Sequence, residues 1–194
     1  MTKSILKFTL ATAAMLYAVP AQADCKAEIS SVMAEARTVG PYHQVTTMTS
    51  ASRTMNIEGN VILPDQFDIN MPQGRMVMTK NGAWMQKDGK WTKMPDMMRK
   101  MLGANVAQGA ASSLKNITNT KCLGAQDFEG NSHTTYEFDT SGEAMGIKSK
   151  SHVTLYVDGG KPVVMVIDGE AMGHKSHTVQ KITYDPSIKI TEPK

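Results

Sequence analysis

The sequence predicts a mainly β protein with two helical pieces (α+β), its strands forming one strongly curved antiparallel sheet of about eleven strands. Three observations carry this expectation. Short runs of residues alternate polar and apolar with a period of two. Turn-forming dipeptides separate those runs. Only two segments switch to a helical period. A sheet of that many strands twists until it curls, and an N-terminal helix plus a mid-chain helical lid can cover its open side.

The chain opens on an address. Lys3 and Lys7 precede an apolar run from Phe8 to Val19, and Ala21-Gln22-Ala23 ends it with a small-x-small pattern. The run is shorter than the ~20 residues a membrane span needs. Residues 1–23 are expected to be a secretory signal, leaving 24–194 as one domain in an exported, oxidising compartment. Asp24 stands where a lipid-attachment motif requires a small residue, so Cys25 is not expected to carry an anchor.

The elements follow in order. Ile29, Val32, Met33 and Ala36 share one face of an amphipathic helix that Gly40-Pro41 stops. Strands are expected at His43 to Ala51, Arg53 to Leu63, Gln66 to Met71, Arg75 to Lys80, Ala83 to Lys87 and Lys90 to Lys93. Asn81-Gly82 and Asp88-Gly89 are read as two-residue hairpin turns, because a type I′ turn needs positive φ at both positions. Met94, Met97, Met98, Met101 and Leu102 then recur at helical spacing after Pro95-Asp96, and Gly103 breaks the run. Val106, Ala107, Ala110, Ala111 and Leu114 suggest a second short helix in the same flap. Strands resume near Ile117 and include Thr134 to Phe138, His152 to Val157, Pro162 to Asp168 and His174 to Tyr184. Glu129-Gly130-Asn131, Ser141-Gly142 and Asp158-Gly159-Gly160 are the expected turns.

Composition narrows the chemistry. The formal charge of +3 falls to +1 once Lys3 and Lys7 leave with the signal. That near-neutral total gives no reason to expect nucleic acid or an anionic membrane as the main partner. Two cysteines in an exported chain, Cys25 and Cys122, are expected to pair. Of 16 methionines, Met1 and Met15 lie in the signal. The rest far exceed ordinary usage while Phe and Trp are scarce, which suits an adaptable apolar surface.

Catalytic signatures are missing. There is no Gly-x-Ser-x-Gly, no His-Glu-x-x-His and no phosphate-cradling loop, so no enzyme activity and no cofactor is expected. His174 and His177 stand at i and i+3, on opposite faces of a strand, and are not expected to chelate a metal together. His43, His133 and His152 stand isolated among polar residues.

Several short motifs together resemble the bacterial lipoprotein-carrier superfamily, which includes LolA, LolB and LppX-like proteins. They are a helix before the first strand, Leu63-Pro64-Asp65-Gln66-Phe67, Gly82-Ala83-Trp84-Met85, Asp88-Gly89-Lys90-Trp91, Lys93-Met94-Pro95, Gly159-Gly160-Lys161-Pro162-Val163 and the closing Tyr184-Asp185-Pro186-Ser187-Ile188-Lys189-Ile190. The resemblance implies an eleven-stranded half-barrel whose apolar cavity shields acyl chains in the periplasm. It also implies, from LolA, an arginine inside the barrel that holds the lid; Arg53 and Arg75 are the strand arginines here.

Together these readings give an exported soluble monomer that holds a lipid or other lipophilic molecule and carries it between membrane-bound donor and acceptor proteins. The expected cavity lining is Phe67, Ile69, Met71, Met76, Met78, Trp84, Trp91, Tyr136 and Phe138, beneath a lid of Met94, Met97, Met98, Met101 and Leu102. Two other readings stay open: a methionine-rich Cu(I)-binding protein, since thioethers ligate that ion, and a half-barrel sensor or interaction module. Which strand parity faces the cavity is undetermined, because a one-residue slip exchanges the faces.

Overall fold

The structure is a computed structural model that describes residues 22–51, 53–102, 116–144 and 147–193. Helix α1 (Gln22–Glu35) precedes strands β1 (Tyr42–Ser50), β2 (Arg53–Ile62), β3 (Gln66–Met71), β4 (Gly74–Thr79), β5 (Gly82–Lys87) and β6 (Lys90–Lys93). A short helix α2 over 96–102 follows. Strands β7 (Thr118–Phe128), β8 (Asn131–Ala144), β9 (Ile147–Asp158), β10 (Lys161–Ala171) and β11 (His174–Tyr184) complete the chain. The second helical stretch expected around Val106 to Leu114 lies outside the described residues.

All eleven strands form one curved, unclosed antiparallel sheet in the order β6-β5-β4-β3-β2-β1-β11-β10-β9-β8-β7. It is two meanders joined where the first strand meets the last. That seam runs from Tyr42 opposite Tyr184 to Ser50 opposite Ser176. The expected half-barrel is the observed architecture. Both edge strands are blunted against pairing with other chains: β6 is only four residues long and carries Lys90 and Lys93, and β7 shifts register twice.

The turns explain where sequence and structure part. Asp88 (φ 52°) and Gly89 (φ 76°) both have positive φ between the paired Lys87 and Lys90, as a type I′ hairpin demands. The neighbouring turn is made by Lys80-Asn81, not Asn81-Gly82, and neither of its loop residues has positive φ. The Asn81 amide donates to the Thr79 hydroxyl at 3.1 Å, which closes the turn from the side chain. Gly82 begins β5 for a different reason. A Cβ there would stand 2.8 Å from the Trp84 ring. Ser141-Gly142 is no turn either; β8 continues through it, with Gly142 paired to Ser149.

Helix α1 ends in tightening turns, with Thr38 N–H donating to Glu35 C=O at 2.8 Å, before Gly40 (φ 111°) and Pro41. Its apolar face, Ile29, Val32 and Met33, packs on Tyr136, Phe138, Val153, Leu155, Val157 and Ile117. Cys25 and Cys122 form a disulfide with Cα atoms 5.5 Å apart, fixing the start of α1 to β7. The Tyr136 hydroxyl adds a second tie, donating to Glu28 Oε2 at 3.0 Å. Burial and this hydrogen bond raise the Tyr136 pKa.

Candidate functional site: the inner face of the sheet

One side of the sheet carries the apolar rows, and the register sets it. Tyr42 faces Val61, Val61 faces Phe67, Phe67 faces Met78 and Met78 faces Ala83, one row across five strands. A second row runs Gly59, Ile69, Met76 and Met85. Gly59 has no alternative residue there: a Cβ would come within 2.1 Å of the Asp68 carbonyl oxygen and 2.7 Å of the Ile69 Cα. In the other meander Tyr136, Leu155 and Met165 share a row, as do Phe138, Val153 and Ile167.

The inner face therefore holds two apolar patches with different covers. Helix α1 seals the β7–β10 patch. Over the β2–β5 patch, of Val61, Phe67, Met78 and Ala83, lie Met94 and Leu102, with Tyr42, Leu63, Ile69 and Met76 packed around it. Between the patches the seam is mixed: Gln44, Thr46, Thr178 and Gln180 share the parity of Tyr42 with Met48 and Ile182, and Gln180 Nε2 donates to Gln44 Oε1 at 2.8 Å.

Topology positions the lid. Strands β6 and β7 are opposite edges of the sheet, so the segment joining them has to pass from one edge to the other. It leaves with Met94 and Leu102 against the β2–β5 patch and arrives with Ile117 buried in the α1 patch. Met94 is tethered at the start by its N–H, which donates to the Ala83 carbonyl at 2.8 Å. The other lid methionines are turned outward. Met97 is 78% exposed, Met98 42% and Met101 58%. Among the described lid residues, Met94 ahead of α2 and Leu102 at its end meet the sheet.

Of the residues expected to line a cavity, Phe67, Ile69, Met76, Met78, Met94 and Leu102 come together. Met71 shares their parity further along β3, opposite Gly74. Tyr136 and Phe138 belong to the other patch, under α1. Trp84 and Trp91 stand on the outer face, because Trp84 pairs with Val77 and Lys93, and Trp91 with Gln86. There the Lys93 ammonium lies 5.6 Å from the Trp84 ring and the Arg75 guanidinium 5.9 Å from Trp91. Arg75 is thus not a lid-holding arginine inside the barrel. Its Nε donates to Asp68 Oδ1 at 2.7 Å on the outer side. Tyr42, Leu63, Val61 and Ala83 were missed by sequence reasoning. Alternation alone marks them, and it marks the opposite parity equally well.

Other grooves, lined by described residues, lie elsewhere on the sheet. One of about 580 Å³ sits near the ends of β7–β11, lined by Asn119, Asp139, His152, Asp168 and Ser176 among others. His152 Nδ1 and Asp139 Oδ1 are 2.8 Å apart, and His177 Nδ1 and Asp168 Oδ1 2.7 Å. The Asn119 amide and His152 hold the Asp139 carboxyl below its usual range. Among the described residues no three of His, Cys, Asp and Glu gather as a metal site, and both cysteines are consumed in the disulfide. No described helix is long and apolar enough to cross a membrane.

No protein-family model matches the chain, and no curated protein matches it. Among solved structures the lipoprotein LppX of Mycobacterium tuberculosis is similar over 88% of this chain and 100% of its own, at 11% identity and a TM-score of 0.63. LprF from Mycobacterium bovis is similar over 88% and 97%, at 11% identity and a TM-score of 0.57. The chain has the LppX-like fold. Identity this low speaks for the fold and for nothing finer.

Proposed function

We propose that this chain is an exported, monomeric binding protein, its residues 1–23 removed as a leader. It holds a lipid or other lipophilic molecule on the inner face between β2–β5 and the α2 segment, and carries it between membrane-bound donors and acceptors. The observation that supports this most is the contrast between the two apolar patches. The α1 patch is closed by a disulfide-fixed helix. The β2–β5 patch is lined by Phe67, Ile69, Met76 and Met78 and, among the described residues, is covered by Met94 ahead of α2 and Leu102 at its end. A helix with Met97, Met98 and Met101 still exposed has apolar surface in reserve to wrap a ligand. Flexible thioethers adapt to acyl chains of varied shape, and burying apolar area contributes ~25 cal/mol per Å². No charged side chain enters the register rows of this patch, so an acyl chain would meet no desolvation cost there.

Native mass spectrometry of the protein purified without detergent, followed by solvent extraction, tests the reading. Adducts of lipid mass that disappear in Met78→Asp, a variant charged at the centre of the patch, are expected. Bare protein that also fails to take up a fluorescent fatty acid would overturn it. Cu(I) titration of the same sample checks the methionine alternative.

A further inference from the structure

We infer that the edge formed by the β5–β6 hairpin and α2 docks on an anionic lipid bilayer. The inference rests on charge and exposure at that edge and holds whatever the inner face carries.

Positive charge is concentrated in one continuous stretch of the described chain. From Gly82 to Leu102 five cations, Lys87, Lys90, Lys93, Arg99 and Lys100, stand against two carboxylates, Asp88 and Asp96, a net +3. The chain without residues 1–23 totals only +1, so everything outside this stretch is net −2. Lys87, Lys90, Lys93 and Lys100 are exposed, and none of the five cations forms an ion pair with a described carboxylate. Charges on the neighbouring elements leave the balance unchanged. Asp68 of β3 is taken up by Arg75 of β4. Glu192, which accepts from Asn81 Nδ2 at 2.7 Å, reaches a turn that also carries Lys80.

Apolar surface sits in the same place. Met97 and Met101 are one helical turn apart with Met98 beside them, so the three make one exposed stripe on α2. Met97 is the most exposed of the large apolar side chains described. Across β6, the half-buried rings of Trp84 and Trp91 stand on the outer face, with Lys93 near the first and Arg75 near the second. Lysines on β6 alone are explained as guards of a sheet edge. That explanation does not reach Arg99 and Lys100, nor three methionines turned to water beyond the end of the strand. Thioethers, aromatic rings and ammonium groups together fit the headgroup layer, where apolar atoms enter and cations meet lipid phosphates. An acidic protein is a poorer fit, because lysine is depleted in protein interfaces. The same segment lays Met94 and Leu102 on the β2–β5 patch, so docking brings the cover of that patch to the bilayer.

The test is sedimentation of the purified exported protein with vesicles of phosphatidylcholine alone or mixed with phosphatidylglycerol. Binding is expected only with the anionic mixture and should weaken as salt rises. A lysine near an anionic surface contributes about fivefold, so Lys87→Glu with Lys90→Glu and Lys100→Glu should weaken binding roughly a hundredfold or more. Lys148→Glu with Lys150→Glu and Lys175→Glu makes the same change in total charge at exposed positions of β9 and β11, and should weaken it by less than about tenfold. Met97→Ser with Met101→Ser should weaken it about tenfold or more, because less apolar area enters the bilayer. Met97→Trp keeps an apolar side chain and should be quenched by brominated lipid. Met172→Trp, at an exposed methionine of the other meander, should gain no quenching over the unaltered protein. No sedimentation with anionic vesicles at low salt, equal losses in the two lysine variants, or a Met97→Trp signal quenched no more than that of Met172→Trp would each overturn the inference. Retention on polyglutamate beads without vesicle binding would assign the edge to an acidic protein and overturn it too. Fluorescent fatty-acid uptake is read on the same samples. Docking is expected whether or not the fatty acid binds, so failure of this claim and failure of the carrier reading are seen separately.

Discussion

Tyr42 and Tyr184 meet edge to face across the seam of the sheet, ring centroids 5.9 Å apart. The first residue of the first strand and the last residue of the last thereby hold the two meanders together. Burial, with Tyr42 as a second contribution, pushes the Tyr184 pKa up to about 12. The folded state thus favours the neutral phenol. Its contribution is complete below the unfolded pKa near 10 and is lost as pH rises toward 12. Tyr184→Phe should flatten the fall in thermal midpoint between pH 10 and 12, measured by circular dichroism, and remove one late-titrating phenol from the absorbance titration.

The disulfide closes a sequence separation of 97 residues. The chain-entropy model assigns such a loop at most ~4–5 kcal/mol. For a domain of this size ~2–4 °C of Tm accompanies each kcal/mol. Reduction, or Cys25→Ser with Cys122→Ser, should lower Tm by about 10 °C in a calorimeter.

Gly59→Ala forces a methyl group onto the β3 backbone, where no flexible side chain can yield. A loss of about 2–4 kcal/mol is expected, read by urea unfolding. Gly130→Ala, with open space around its Cβ but φ 85°, should lose about 1 kcal/mol.

The two methionine environments should separate cleanly. Met78→Ala empties a fully buried site and should cost about 2–4 kcal/mol, whereas Met97→Ala changes an exposed one and should stay within about 0.5 kcal/mol. Urea midpoints of the two variants side by side make the comparison.

Asp139 should shape the acid limb. Its carboxyl is held low by Asn119 and His152, so its stabilisation is present above pH ~4 and disappears as pH falls through the depressed pKa. Asp139→Asn should make acid unfolding less steep below pH 4. The effect will be small because the group is exposed.

What was legible in the chain follows from which physics is local. Alternation and turn dipeptides are local, and the strands around Phe67, Trp84 and Tyr184 fall within a residue or two of expectation. Cys25 and Cys122 were readable as a pair because an exported chain with two thiols offers one pairing. Face is not local. Trp84 and Trp91 look like cavity walls in the sequence, yet the register of β4–β6 turns them outward onto Lys93 and Arg75. The helical stripe of Met97, Met98 and Met101 is periodic whether it faces a core or water.

The seam between the first and last strands also sets the order of assembly. While the chain emerges from its N-terminus, β1 has β2 on one side and an open row of amides and carbonyls on the other. That row waits until more than a hundred residues have followed and β11 arrives. Contacts this distant in sequence make folding slow, on the millisecond-to-second scale. Throughout that interval the nascent half-sheet is a template for any strand that finds it first. Cutting the chain after Gly173 would make the delay permanent, leaving two half-sheets with two unguarded inner edges and a strong tendency to aggregate.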